Sequence, residues 1–128
     1  MAVPPFAGTT QAKTFKSITT IVDESWDINP FDNTGKVVSE QYIDLDLSAG
    51  DIYLNLPDLA IFNGVYGTTI YITVVEGGMT GLTLQPYSGQ QIGSSGAIAG
   101  PAITGLNFII QPVSATEWSV NITFNAPL

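Results

Sequence analysis

The sequence predicts an all-β protein: an antiparallel β-sandwich, jelly-roll-like, with an extended N-terminal arm. Several short stretches alternate apolar and polar residues with the period of two that is typical of half-buried strands. Clusters of Gly, Pro, Asn and Asp separate these stretches, and no segment shows helical periodicity of useful length. We expect residues 1–11 to form the arm and residues 12–128 to form one sandwich domain without an internal repeat at fixed period.

The first third of the chain contains the arm, a strand and a loop. Pro4 and Pro5 favour an extended path, and Phe6 is an isolated aromatic residue within the arm. Residues 12–23 are rich in β-branched and aromatic types, which predicts a bulged strand or two short strands. Residues 23–35 are dense in turn formers and predict a long loop.

Two strands are predicted on either side of a hairpin turn at residues 48–51. The first spans residues 42–47, and the second begins at residue 52 and ends before Pro57, which has no N–H for a ladder bond. By alternation, their buried faces are expected to consist of Ile43, Leu45, Leu47, Ile52, Leu54 and Leu56.

The second half of the chain predicts four more strands, at residues 68–75, 80–86, 106–113 and 117–124. Residues 106–113 are nearly continuously apolar, which favours a central strand or a subunit interface. We expect residues 87–104 to form a loop with a short strand. The apolar residues of the earlier connection are expected to be buried or carried by a short helical turn; they are Leu59, Ile61 and Phe62.

Composition excludes several classes of partner. The chain of 128 residues has a formal net charge of −8, no arginine, and three lysines that all lie within the first 36 residues. Nucleic acids and anionic membranes are bound mainly through Lys and Arg, so we expect neither as a partner. No apolar run reaches the roughly 20 residues of a membrane-spanning helix, and the N-terminus lacks the features of a secretory signal.

Only 11% of residues are charged, against about 25% in ordinary soluble domains. The surface is therefore neutral and polar, or partners cover part of it.

The same composition argues against an enzyme, a cofactor or a metal. The chain has no His and no Cys, which removes the usual general base and the best nucleophile. Asp44 and Asp46 lie roughly 6.6 Å apart along one strand, a spacing that permits a glycosidase pair, although a solvated strand face is favoured. One acidic loop offers oxygen ligands suited to Ca²⁺, but its spacing does not match an EF-hand, so calcium remains the minority interpretation. The oxygen ligands in question belong to Asp23, Glu24, Asp27, Asn29, Asp32 and Asn33.

From about residue 41 to residue 122, the order of motifs resembles β modules in tail fibres, head fibres and capsid decoration proteins of tailed bacteriophages. The motifs are Tyr-Ile-Asp-Leu (42–45), Ser-Ala-Gly-Asp-Ile-Tyr-Leu-Asn-Leu-Pro (48–57), Asn-Gly (63–64), Thr-Ile-Tyr-Ile (69–72), Gly-Leu-Thr-Leu-Gln-Pro (81–86), Gly-Gln-Gln-Ile-Gly (89–93) and Thr-Glu-Trp-Ser-Val (116–120). The resemblance implies turns at Leu56-Pro57 and Asn63-Gly64, and a Trp118 that packs under the sheet. It also implies a structural role in the virion and a homotrimer.

We therefore expect a virion protein, a capsid decoration or head-fibre protein, whose partner is the major capsid protein or another virion protein. Its N-terminal region would bind the capsid, through Val3, Pro4, Pro5, Phe6, Lys13 and Lys16. The alternative is a carbohydrate-recognition or receptor-binding module of a phage fibre. In that case Trp26, Tyr53 and Tyr71 would stack on sugar rings.

Overall fold

Ten strands arranged in two sheets make up most of the structure, a computed structural model that describes residues 16–22, 25–32, 34–77 and 81–124. A single turn of 3-10 helix spans Leu59–Phe62. The strands are β1 (Lys16–Val22), β2 (Trp26–Asp27), β3 (Glu40–Asp46), β4 (Ile52–Asn55), β5 (Thr69–Glu76), β6 (Gly81–Gln85), β7 (Gln91–Ile92), β8 (Ile98–Pro101), β9 (Leu106–Pro112) and β10 (Glu117–Phe124).

Successive strands enter opposite sheets, so the chain winds in stacked coils. The six-stranded sheet has the order β1-β3-β5-β9-β10-β7, and the four-stranded sheet has the order β2-β4-β6-β8. The coils β1–β2, β3–β4 and β5–β6 lie side by side, with parallel pairing in both sheets. Beyond these coils, β8 pairs antiparallel with β6, and β9 pairs antiparallel with β5. β9 and β10 form a hairpin. The arrangement is that of a short β-solenoid closed at one end by antiparallel strands.

The prediction of an all-β fold is confirmed, whereas the predicted antiparallel pairing is wrong for most strand pairs. Within the described ranges, five of the eight strand pairs are parallel and three are antiparallel. The turn at residues 48–51 is not a hairpin turn, because it carries the chain from β3 in one sheet to β4 in the other. Period-two alternation specifies which face of a strand is buried, but it does not specify the neighbouring strand. The jelly-roll-like topology is therefore not what these strands form.

Inward-facing apolar side chains of both sheets meet in one hydrophobic core. Stacked strands place like residues beside each other: Ile43 pairs with Ile72, and Leu54 pairs with Leu84. The buried faces predicted for β3 and β4 are confirmed. Core residues with no exposed surface include Ile43, Leu45, Leu47, Ile52, Leu54, Ile70, Ile72, Val74, Leu84, Ile92, Ile110 and Trp118.

Two segments interpreted as loops contain short strands. Within residues 23–35, β2 pairs with β4 through Trp26 and Leu54, and Phe31 forms a bridge with Val37. Residues 87–104 contain two short strands, β7 and β8, whereas the sequence predicted one short strand in this segment. Both segments lack the alternation of a longer strand, and only their neighbours in the sheets make them extended.

The 3-10 helix takes the place of the short helical turn proposed for the connection after β4. Its first cap is Asp58, whose carboxylate accepts a hydrogen bond from the N–H of Ala60 at 3.0 Å. Its last cap is Asn63, which has a left-handed φ of 52°. Leu59 and Phe62 are buried, and the Phe62 ring contacts the Trp118 ring edge-to-face at 5.9 Å between centroids. None of the described helices is long and apolar enough to cross a membrane.

We predict that Gly77→Ala destabilises the protein because Gly77 packs directly on the turn between β8 and β9. An added Cβ would lie 2.5 Å from the backbone nitrogen of Thr104, and the N–H of Gly77 already donates to the Thr104 hydroxyl at 2.9 Å. Overpacking against backbone costs about 1–3 kcal/mol. Urea denaturation measures this loss.

Gly67→Ala is the matched control, because a Cβ at Gly67 meets nothing within 4 Å. The control should change the free energy of unfolding by no more than about 0.5 kcal/mol. Equal stability of the two variants would contradict the close approach of Gly77 to Thr104.

Candidate functional site

The six-stranded sheet extends beyond the four-stranded sheet on the side of β10. β9 has a counterpart in β8 of the other sheet, whereas β10 and β7 have none among the described strands. The inner face of β10 is covered at Trp118, which is fully buried against the core residues Phe62 and Ile92. Toward Phe124 no described element covers the same face, so the apolar alternation of β10 continues into solvent.

This overhang exposes a strip of apolar side chains, which we call the apolar strip: Leu106, Ile122 and Phe124. Ile122 is 49% exposed and Phe124 48%. Leu106 is half-buried and is paired with Phe124 across the β9–β10 hairpin. A groove of about 160 Å³ runs beside the strip between the sheets, and it is lined almost entirely by apolar residues of β6, β8, β9 and β10. Clustered exposed apolar residues of this kind mark interaction sites.

The backbone of β10 also presents an open edge. The carbonyl of Glu117 accepts the N–H of Val113 on the β9 side, and the carbonyl of Trp118 accepts the N–H of Gly93 on the β7 side. Because backbone groups of successive residues point to opposite sides of a strand, odd-numbered residues bond to β9 and even-numbered residues point away. β7 pairs only with Glu117 and Trp118. Farther along, the outward N–H and C=O groups have no strand partner within the described ranges; they belong to Val120, Ile122 and Phe124.

The open part of β10 lacks the sequence features that block strand addition. Residues 118–124 contain no charged residue and no proline, and they pair with β9 in an unbroken register from Trp118 to Phe124. Natural edge strands are usually protected by charges, proline, bulges or a covering element. This edge and the apolar strip beside it form the surface best suited to contact another protein chain.

The residues predicted to bind the capsid lie at the other end of the molecule or outside the described ranges. Val3, Pro4, Pro5, Phe6 and Lys13 are among the residues that the structure does not describe. Lys16 is the first residue of β1, where its backbone pairs with Glu40. β1 is the edge strand opposite β10 and β7. The N-terminal segment therefore enters the fold four strands away from β10.

The three predicted sugar-stacking residues do not share a surface. Tyr53 is 49% exposed on the outer face of the four-stranded sheet. Trp26 pairs with Leu54 on the inner side of that sheet, where its ring packs partly against the core. Tyr71 lies on the outer face of the six-stranded sheet and stacks on Tyr42, with 4.6 Å between ring centroids and an interplanar angle of 10°.

Sequence reasoning grouped Tyr71 with Trp26 and Tyr53 as sugar-stacking candidates and missed its neighbour in the structure, Tyr42. The Tyr42 hydroxyl donates to the Glu40 carboxylate at 3.2 Å. Desolvation, followed by the charge of Glu40, raises the pKa of Tyr42. Tyr42 and Tyr71 are register partners on the parallel strands β3 and β5. The sequence would have indicated this stacking only if the pairing of these two strands had been known.

The acidic side chains of the described part of the loop serve local turns. Asp32 accepts the Thr34 hydroxyl at 2.6 Å and the N–H of Lys36 at 3.0 Å, and these contacts lower its pKa. Asp27 accepts the Asn55 side-chain amide at 2.7 Å. Asp23, Glu24 and Asn33 lie outside the described residues. Within the described ranges, no three acidic residues are grouped so that they could hold a metal ion.

The predicted carboxylate pair of β3 is also tied into local structure. Asp46 accepts the N–H of Ser48 at 2.8 Å, and the pKa of Asp46 is lowered first by the Ser48 hydroxyl and then by that N–H. Asp44 faces the same side of the strand and is half-buried. The side chain of Asp46 thus caps the turn that leads into β4.

The chain matches no protein-family model, no curated protein and no solved structure in the comparisons made with each. Its function therefore has to be argued from its own residues and surfaces.

We predict that the Asp58 cap makes the stability of the fold depend on pH. Asp58 accepts the N–H of Ala60 and the Gln90 side-chain amide, at 3.0 and 2.7 Å, and these bonds lower its pKa from the ordinary value of 3.8. A carboxyl whose folded pKa is lowered stabilises the fold above its unfolded pKa, and this stabilisation is lost as pH falls through the folded pKa. Asp58→Asn should therefore lower the melting temperature at neutral pH, with a difference from the unsubstituted protein that narrows below about pH 3.8.

Melting curves recorded by circular dichroism between neutral pH and about pH 2.5 test this. Asp44→Asn removes the same charge from β3 without removing a cap, and it serves as the control. A difference for Asp58→Asn that stays constant over this range would show that its carboxylate does not act as an ionised cap.

Proposed function

We propose that this chain is a structural protein of a tailed-phage virion, a capsid decoration or head-fibre protein that acts by binding other protein chains. The observation that carries the proposal is the surface of β10, where an open and unprotected strand edge adjoins the apolar strip. Such a surface binds through backbone hydrogen bonds and apolar burial, and it needs neither a catalytic group nor a cation.

The distribution of charge supports this role. All three lysines lie in the first 36 residues, and the open part of β10 carries no charge in a chain of net charge −8. The N-terminal segment enters through β1, at the sheet edge opposite β10. We assign the N-terminal region to the capsid surface and β10 to contacts among the chain's own copies. The motif order that resembles phage fibre and decoration modules supports the same assignment.

Carbohydrate recognition is the second candidate, and the geometry favours it less. Trp26, Tyr53 and Tyr71 lie on different surfaces, so these three residues offer a sugar no common platform. If the chain bound neutral glycans on an array and Tyr71→Ala lost that binding, carbohydrate recognition would become the favoured function.

Gold-labelled antibodies against the purified chain provide the direct test of the virion role. They should label the heads of particles prepared from the source of this gene. Label confined to the soluble fraction, with none on particles, would contradict the proposal.

Deletion of residues 1–11 tests the assignment of the N-terminal region. The shortened protein should keep the melting temperature of the full chain but fail to co-sediment with particles that lack it. The full chain under the same conditions is the control. Undiminished co-sedimentation of the shortened protein would show that another surface binds the capsid.

A further inference from the structure

We infer that β10 pairs with β10 of a second copy across a two-fold axis, antiparallel and centred on Thr123. This inference rests on the proposed function, since it assigns one surface to self-association, and it names the residues and the register of that contact.

The register follows from the backbone. Of the even-numbered residues that point away from β9, Trp118 is already engaged by Gly93, and Gly93 also packs against the Val120 side chain, which leaves Ile122 and Phe124. An antiparallel copy uses the outward groups of both residues only if Ile122 lies opposite Phe124 of the second copy and Phe124 lies opposite its Ile122. Each of these opposed pairs can exchange two hydrogen bonds.

The same register brings apolar side chains together. Directly opposed residues of antiparallel strands project from the same face, so the inward-facing side chains of both copies form one row. Phe124 and Ile122, about half exposed in one copy, would be covered by Ile122 and Phe124 of the other copy, respectively. The row also extends over the groove that Leu106, Phe108 and Ile122 line, and so closes it from the open side.

A second copy fits this edge better than a chain of different chemistry. Residues 118–124 carry no charge, so two such edges meet without bringing like charges into contact, despite the net charge of −8 on each chain. The surface is self-complementary about its centre, as a two-fold interface must be. An acidic or a basic partner segment would find no opposite charge here.

The solution mass of the full chain, measured by light scattering over a dilution series, tests the inference. The unsubstituted chain of 13.5 kDa should approach twice that mass at high concentration. Ile122→Pro removes an N–H that points away from β9, so it should leave the β9–β10 ladder intact and block pairing. Ile122→Lys places a charge in the row and should weaken dimerisation at least about tenfold.

Val65→Lys is the matched control, because Val65 is 72% exposed in the loop after the 3-10 helix and remote from β10 in sequence. It makes the same change of charge and should leave the dimer unchanged. Circular dichroism melting curves test whether both Ile122 variants are folded. If Ile122→Pro does not fold, the solution mass of Ile122→Lys decides whether β10 forms the contact.

The outcomes separate the inference from the function on which it rests. A monomer at all concentrations would overturn self-association through β10, while particle labelling would still decide the virion role. A trimer, or a dimer that persists in the folded Ile122 variants, would show that copies associate elsewhere and would overturn the two-fold contact alone.

Discussion

The structure depends on the packing of inward-facing apolar side chains between two sheets that the chain visits alternately. Each parallel neighbour must present its apolar residues at the same level, as Ile43 and Ile72 do in one sheet and Leu54 and Leu84 in the other. Burial of this shared interior is the main favourable contribution to folding. The turns between strands, including the caps at Asp46 and Asp58, serve to move the chain from one sheet to the other.

A stack of parallel coils necessarily has two ends, and the two ends of this stack differ. β1 forms one end, and the N-terminal segment joins the fold there. At the other end the chain reverses direction through β8, β9 and β10, and the six-stranded sheet becomes wider than the four-stranded sheet. The exposed face of β10 is therefore a consequence of unequal sheet width. Because its residues keep the alternation of a core strand, the overhang remains apolar.

Several carboxylates of the described residues have structural contacts, and the sequence offered two of them, Asp32 and Asp46, for chemistry. Asp32, Asp46 and Asp58 each accept hydrogen bonds from a turn, and those bonds lower their pKa values. Ionised carboxylates in turns stabilise local backbone and are poor proton donors. What remains available to a partner is backbone hydrogen bonding at an open edge and apolar surface next to it.

The sequence predicted the positions and buried faces of the longer strands, because alternation such as that of Ile70, Ile72 and Val74 depends only on local geometry. It did not predict which strands pair. The paired residues Lys16 and Glu40 lie 24 positions apart, whereas Glu40 and Thr69 lie 29 apart, so the coils leave no fixed period. The exposure of Ile122 also escaped prediction, since it depends on a strand that the other sheet lacks.

Amide hydrogen exchange of β10 at two protein concentrations tests the central claim, that this strand edge is an assembly surface, most directly. At high concentration the outward amides of Ile122 and Phe124 should become more protected. Those of Asn121 and Thr123, which face β9, should exchange at the same rate at both concentrations. Protection of the outward amides that does not change with concentration would contradict the account, because it would show that β10 makes no contact between chains.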